Sequence, residues 1–180
     1  MSDGRAAVRR AECGGLTPIG TNWPAEWPTT PRQIAVTTDA AINAARSADG
    51  EQFVEEIENL TLLPFEQVTL VHAGVIQALL EDLHPDGFSG DDIQDALTRV
   101  AGAALVWLPG LDISALAAVL TGSLGLTEMS DDAQRIGQSE YLRSAVLVMT
   151  DLLVTADASP HGYLKTAIAE IARAETVEMP

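Results

Sequence analysis

The sequence predicts an all-α domain, a single bundle of six or seven helices that follows an extended N-terminal arm. Apolar residues recur at spacings of three and four over most of the 180-residue chain, which is the period of a helix that buries one face. Cap residues and prolines stand before these periodic segments, as they do at helix starts. The apolar–polar alternation typical of strands is missing, so we expect one helical domain with its own core.

We predict that residues 1–29 form the arm and that residues 30–180 form the helical domain. Glycines and prolines crowd the arm and disfavour regular structure there, at Gly14, Gly15, Pro18, Pro24 and Pro28. The motif WPAEWP places Trp23 and Trp27 in a proline-stiffened segment. We expect both indoles to dock on the protein's own helices, because an exposed tryptophan pair is unusual. The alternative is a ligand-like tail for the groove of a partner.

Two helices are predicted before residue 64. The first is expected to begin at Thr30, because Thr30 and Gln33 match a capping box and Pro31 suits a first helical turn. Asp49 is expected to start a short second helix. The residues predicted to face inward are Ile34, Thr38, Ala41, Ile42, Ala45, Phe53, Val54, Ile57 and Leu60.

The segment from Pro64 to His84 carries the strongest helical signal and is predicted to be the central helix of the core. Pro64 fits the first turn, and Pro85 cannot continue the helix. A broad apolar arc on this segment must be covered on several sides. Its members are Phe65, Val68, Val71, Val75, Ile76, Leu79 and Leu83.

A fourth and a fifth helix are predicted on either side of Pro109. Ser89 is expected to cap the fourth. Asp112 is expected to cap the fifth, which runs to Leu124 with Gly125 at its end. The inward residues predicted for the fourth helix are Ile93, Leu97, Val100 and Ala104.

The last third of the chain predicts two more helical segments. Ser130 is expected to open a helix that breaks near Gly137 and resumes over residues 139–156. Ser159 and Pro160 are expected to start the final helix. In the resumed segment the residues predicted to face solvent are Glu140, Ser144, Asp151 and Thr155.

The net charge of −16 falls almost entirely on the helical part of the chain. Residues 51–180 hold five basic residues against twenty-one acidic ones. Such a surface repels phosphate backbones, so the sequence predicts no nucleic-acid partner. Cys13 is the only cysteine, which excludes an internal disulfide. The first residues lack the apolar run of a signal peptide, and we therefore expect a cytoplasmic protein.

The segment from Ala101 to Leu126 contains a single charged residue, Asp112. Pro109 and Gly110 divide it into two pieces that are too short to span a membrane, so no membrane association is expected. A buried helical hairpin or an oligomer interface explains the lack of charge in this segment better. We expect a homodimer, and the sequence also allows a different protein as a partner. The predicted interface residues are Trp107, Ile113, Leu116, Ala117, Leu120, Trp23 and Trp27.

His72 lies inside the apolar arc of its segment, where a polar side chain needs a partner. We expect a buried, neutral histidine held by a hydrogen bond to Tyr141 or to a backbone carbonyl. The alternative is a ligand-binding or catalytic pocket around His72 and Tyr141. Loop 82–93 matches the first positions of a calcium loop but carries Ile93 where a bidentate carboxylate is required. Neither a metal nor a cofactor is therefore expected.

These observations favour a non-catalytic helical protein that acts in protein–protein interaction or assembly. The sequence contains no coherent set of catalytic residues, but it does contain an excess of apolar surface and an arm with two tryptophans. The competing hypothesis is a small-molecule-binding or enzymatic bundle with its pocket around His72. A cavity lined by His72 and a second polar side chain would favour the competing hypothesis, and a filled core would favour the first.

Overall fold

The described part of the chain consists of helices joined by short connections. The computed structural model describes residues 23–125 and 136–177 and contains no strand within these two ranges. The helices are α1 (Thr29–Arg46), α2 (Gly50–Thr61), α3 (Phe65–Leu83), α4 (Gly90–Ala104), α5 (Ile113–Ser123), α6 (Gln138–Thr155) and α7 (Pro160–Val177). They pack into one bundle, which confirms the predicted all-α class. Two predicted features lie outside the described residues, namely the helix start at Ser130 and the first 22 residues of the arm, which include Cys13.

Three of the predicted helix starts are confirmed by cap hydrogen bonds. Asp49 accepts a hydrogen bond from the backbone N–H of Gln52, and Asp112 accepts one from that of Ser114. Ser89 forms a complete capping box with Asp92 at the start of α4. These side chains satisfy N–H groups that the first turn of a helix leaves without partners.

The capping box predicted at Thr30 and Gln33 is wrong. Helix α1 begins one residue earlier, with Pro28 in the cap position and no side-chain cap. The hydroxyl of Thr30 therefore lies within the first turn and cannot occupy the cap. The Arg32 guanidinium instead donates hydrogen bonds to the carbonyl oxygens of Pro24 (3.0 Å) and Ala25. The start of α1 is thus tied to the arm rather than capped by its own threonine.

The centre of the bundle is α6. Helices α1 to α5 all pack against it, and ten of its 18 residues are buried. The five consecutive residues from Ala145 to Met149 are all buried. Because successive residues of a helix are 100° apart, such a run is enclosed on every side.

The prediction that the helix at 64–84 is the central one is wrong. Helix α3 buries eight of its 19 residues and keeps a solvent face on which Leu70 is 56 % exposed. It runs in the same direction as α6. Phe65 packs on Tyr141 near the starts of the two helices, and Leu80 and Leu152 line one cavity near their ends. Helix α3 is therefore one wall around α6.

Two individual burial predictions are also wrong. Ser144 was expected on a solvent face and is fully buried, because α6 has no solvent face at that level. Val54 was expected to face inward and is exposed. The inner face of α2 is formed by Phe53, Ile57 and Leu60, and Val54 lies about 100° away from Phe53 around the helix.

Helices α5 and α7 complete the bundle from opposite sides. Helix α5 packs on α6, α3 and α4, and it buries Leu116 and Leu120 in the core of the monomer. Helix α7 packs on α3 and α1 through Leu164, Ala167 and Ile168. Among the described helices, none is both long enough and apolar enough to span a membrane.

The central position of α6 predicts that truncating a buried side chain of this helix costs more stability than truncating an exposed side chain of α3. Met149→Ala should lower the free energy of unfolding by about 2–5 kcal/mol, because it empties space in the fully buried core. Leu70→Ala, on the exposed face of α3, should change it by less than about 0.5 kcal/mol. Chemical denaturation of both variants measures the difference. Equal losses would contradict the central position of α6.

Candidate functional site

His72 and Thr38 form a buried polar pair between α3 and α1. The Nε2 atom of His72 lies 2.9 Å from the Thr38 hydroxyl oxygen. The histidine is 1 % exposed, and the threonine is fully buried. The predicted burial of His72 is confirmed, but its partner is Thr38 rather than Tyr141 or a backbone carbonyl. A threonine on the inner face of the first helix was the sequence signal for this partner.

The environment of His72 keeps the imidazole neutral. Burial lowers the pKa of His72 from 6.5 to about 3, because the charged form loses its hydration. A histidine with so low a pKa is a poor general base near neutral pH. Its second nitrogen, Nδ1, is buried and has no hydrogen-bond partner. The pair therefore links two helices and is poorly suited to proton transfer.

Tyr141 does not join His72 in one site. Its ring meets Phe65 edge to face with 5.9 Å between the ring centroids. Phe65 lies seven residues before His72, which corresponds to about 10 Å along α3. Burial raises the pKa of Tyr141. The ring partner of Tyr141 is thus at the start of α3, about two helical turns before His72.

The described end of the arm docks on the helices, as expected. Trp23 is buried, and its indole stacks on Trp27 with 5.9 Å between ring centroids. Trp23 also meets the imidazole of His161, in the first turn of α7, with 4.3 Å between ring centroids. Sequence reasoning missed His161, although its place directly after the predicted helix start at Pro160 was a usable signal.

Polar contacts contribute little to the docking of Trp23. The indole Nε1 of Trp23 and the Nδ1 atom of His161 are buried without hydrogen-bond partners. The Nε atom of Arg32 also has none, although its guanidinium binds carbonyl oxygens of the arm. Residues 23–28 are therefore held mainly by aromatic stacking and by Arg32.

The interface residues predicted on the fifth helix and just before it differ in their exposure to solvent. Leu116 and Leu120 are covered by the chain's own helices, and Ala117 is half-buried. Ile113 is 51 % exposed. Trp107 packs edge to face on Phe53 with 5.2 Å between ring centroids. The exposed member of this set is thus Ile113, the first residue of α5, which lies beside the connection from α4.

Two of the carboxylates of loop 82–93 make hydrogen bonds within the protein. Asp82 accepts a hydrogen bond of 2.7 Å from the Tyr163 hydroxyl, and Asp92 serves the cap at Ser89. Nowhere in residues 23–125 and 136–177 do three or more His, Cys, Asp or Glu side chains gather in a group that could hold a metal ion.

The cavities lie on the periphery of the bundle. The one with the most apolar lining, about 300 Å³, opens between the start of α1, α3 and α7 and includes Trp27 in its wall. Three others lie beside α4 and near the end of α6. His72 lines none of these four.

Comparisons of the chain with protein-family models, with curated proteins and with solved structures find no match in any of the three.

The depressed pKa of His72 predicts a loss of stability in mild acid. Below a pKa of about 6.5 the unfolded chain binds a proton that the folded chain excludes. The free energy of unfolding should therefore fall as the pH drops from 6.5 towards about 3, by up to about 1.4 kcal/mol per pH unit. Denaturation of wild type and His72→Leu between about pH 7.5 and 4.5 isolates this slope, which the variant should lack.

An independent check is the imidazole signal of His72 in an NMR titration. It should stay at its neutral position throughout that range. A titration midpoint at or above about pH 6 would contradict the depressed pKa.

Proposed function

We propose that this chain is a non-catalytic assembly protein that forms a homodimer through the connection between α4 and α5. One observation carries the proposal. Of the eight large apolar side chains that are exposed in the described residues, three lie between Leu105 and Ile113. Val106 is 86 % exposed, and Leu105 and Ile113 are about half exposed. We call residues 102–111, together with Ile113, the uncharged corner; Asp112 between them is charged, and its carboxylate caps α5.

The uncharged corner stands out against the charge of the whole protein. From Ala101 to Leu111 the chain has no charged residue, although its net charge is −16. The exposed members of this stretch are Gly102, Ala103, Leu105, Val106, Pro109 and Gly110. Apolar surface exposed in one place is typical of an interaction site.

The charge pattern favours a second copy over a basic partner. Two copies of an acidic protein repel one another wherever their carboxylates face each other. A two-fold contact brings the same surface of both copies together, so its centre must be free of charge. A basic partner, in contrast, would be attracted to the carboxylate-rich surfaces. The uncharged corner meets the requirement of self-association.

The corner is also held in a fixed shape, which lowers the entropic cost of binding. Leu108 and Leu111 are buried beneath it, and Trp107 rests on Phe53 of α2. The backbone N–H of Asp112 donates a hydrogen bond of 3.3 Å to a carboxylate oxygen of Glu140 at the start of α6. The exposed side chains of the corner are thus presented by anchored neighbours.

The competing hypothesis, a pocket around His72, has less support. The histidine is enclosed by packed helices, and its hydroxyl partner belongs to the core. None of the four described cavities is lined by His72, which supports its role as a link between α1 and α3 rather than as a ligand-binding residue.

The dimer is tested by light scattering on wild type and two exposed-site variants. Wild type should show a mass of about 38 kDa, twice the 19.0 kDa of the chain. Val106→Glu should restore the monomer mass without unfolding, because Val106 has few contacts to lose. Leu62→Glu is the matched control, since Leu62 is 82 % exposed but lies outside the corner, and it should remain dimeric.

Salt gives a second readout of the same contact. Because the copies repel one another, raising the ionic strength from on the order of 0.05 M to 0.5 M should tighten the dimer. A monomer mass for wild type across micromolar concentrations would reject the homodimer. Dissociation by Leu62→Glu but not by Val106→Glu would move the interface away from the corner.

A further inference from the structure

A second feature of the surface lies apart from the uncharged corner. The cavity of about 300 Å³ noted above is a groove between the arm, the first turn of α1, α3 and α7. We call it the arm groove. Trp27 and Pro31 line one side, Val71 lines the α3 side, and Ile168 and Ile171 line the α7 side. No residue of the uncharged corner contributes to it.

The floor and the rim of the arm groove differ in character. Ile34, Val71 and Ile168 are buried and form an apolar floor. Trp27 is half-buried and contributes an indole to the wall. The lining on the α7 side includes Ala169, whose short side chain leaves the groove open. The groove therefore offers apolar and aromatic contacts to a ligand that enters from solvent.

Two polar side chains line the groove, and both are available. Thr30 and Gln67 contribute a hydroxyl and an amide. Gln67 is exposed and Thr30 is half-buried, so both side chains can be reached from solvent. A few polar groups in an apolar lining are typical of small-molecule sites, where they orient the ligand.

The size of the groove limits what can occupy it. Its volume of about 300 Å³ is at the lower end of the range of roughly 300–1,000 Å³ for ligand pockets. A compact ring system fits.

Charge limits the occupant further. The lining contains no charged side chain, and the whole chain carries a net charge of −16. Such a protein repels anions, and the groove has no carboxylate to pair with a cation. Aromatic rings are favoured because they stack on an indole face such as that of Trp27.

We infer that the arm groove binds an uncharged aromatic small molecule that carries one hydrogen-bonding group. The rings occupy the apolar floor beside Trp27, and the polar group meets the amide of Gln67 or the hydroxyl of Thr30. The site is independent of His72 and of the proposed dimer contact.

The test uses N-phenyl-1-naphthylamine, an uncharged aromatic amine whose fluorescence rises in apolar surroundings. The full-length chain should bind it saturably with one site per chain, and the tryptophan emission should fall because Trp27 lies in the wall. Ala169→Phe fills the groove from its rim and should weaken binding by at least about tenfold. Thr166→Phe, on an exposed position of α7 outside the lining, is the matched control and should bind as wild type does.

Two further comparisons examine the polar group and the charge. Gln67→Leu keeps the size of the side chain but removes its amide, and it should weaken binding several-fold. Gln77→Leu, an exposed glutamine on the same helix outside the groove, should have no effect. The sulfonated analogue 8-anilinonaphthalene-1-sulfonate has the same rings plus a negative charge and should bind more weakly than the neutral probe.

Several results would overturn the inference. They are the absence of saturable binding, equal affinities of the Ala169→Phe and Thr166→Phe variants, and tighter binding of the sulfonated analogue. Light scattering on the Ala169→Phe variant provides one more test of the inference. A change of molecular mass with unchanged probe affinity would show that the groove receives part of a second copy instead.

Discussion

The structure depends on the burial of one helix on all sides. Helix α6 places five consecutive apolar residues, from Ala145 to Met149, where each is at most 5 % exposed. Each large aliphatic side chain that is fully buried contributes about 1.5–3 kcal/mol to folding. That burial is possible only when α1 to α5 are all in place around α6. The arrangement of the other helices follows from the need to cover it.

The two surface features occupy places that this arrangement leaves open. The uncharged corner forms where α4 turns into α5, and its position is linked to the start of α6 through Asp112 and Glu140. The arm groove forms on the α7 side of the bundle, and none of its lining residues belongs to α6. Because the two are formed by different elements, a change in one can be made without disturbing the other.

Polar groups inside the core restrict how the helices can pack. The Thr38 hydroxyl meets Nε2 of His72 only at one relative position of α1 and α3. A mismatch would leave both groups buried without partners, which costs about 1–3 kcal/mol for each. The buried hydroxyl of Ser144 already has no partner, and that cost is carried by the apolar residues around it. The pair between His72 and Thr38 thus specifies the fit between two helices that both cover α6.

Local sequence signals were sufficient for the fold class and for the helix starts at Asp49, Ser89 and Asp112. Caps depend on residues three or four positions apart, so they can be recognised without tertiary information. The identity of the central helix could not be found in that way. The amphipathic pattern favoured the long segment at 64–84, whereas the enclosed helix is determined by how many other helices pack against it.

The candidate sites were predicted less completely. The burial of His72 followed from its place in an apolar arc, but its partner depended on which helix packs beside it. The docking of Trp23 followed from composition, whereas its stacking on His161 depends on the path of α7. Leu116 and Leu120 were assigned to an interface because α3 was expected to fill the centre. Once α6 takes that place, α5 is covered within the monomer.

Native-state hydrogen exchange tests the central position of α6 most directly. If the bundle is built around this helix, the amides of residues 145–149 should be the slowest to exchange. Their opening free energy should equal that of global unfolding, because they are released only when the whole bundle opens. Amides on the solvent side of α3, such as that of Leu70, should exchange through smaller openings. Slowest exchange in α3, with α6 opening below the global free energy, would contradict this structure of the core.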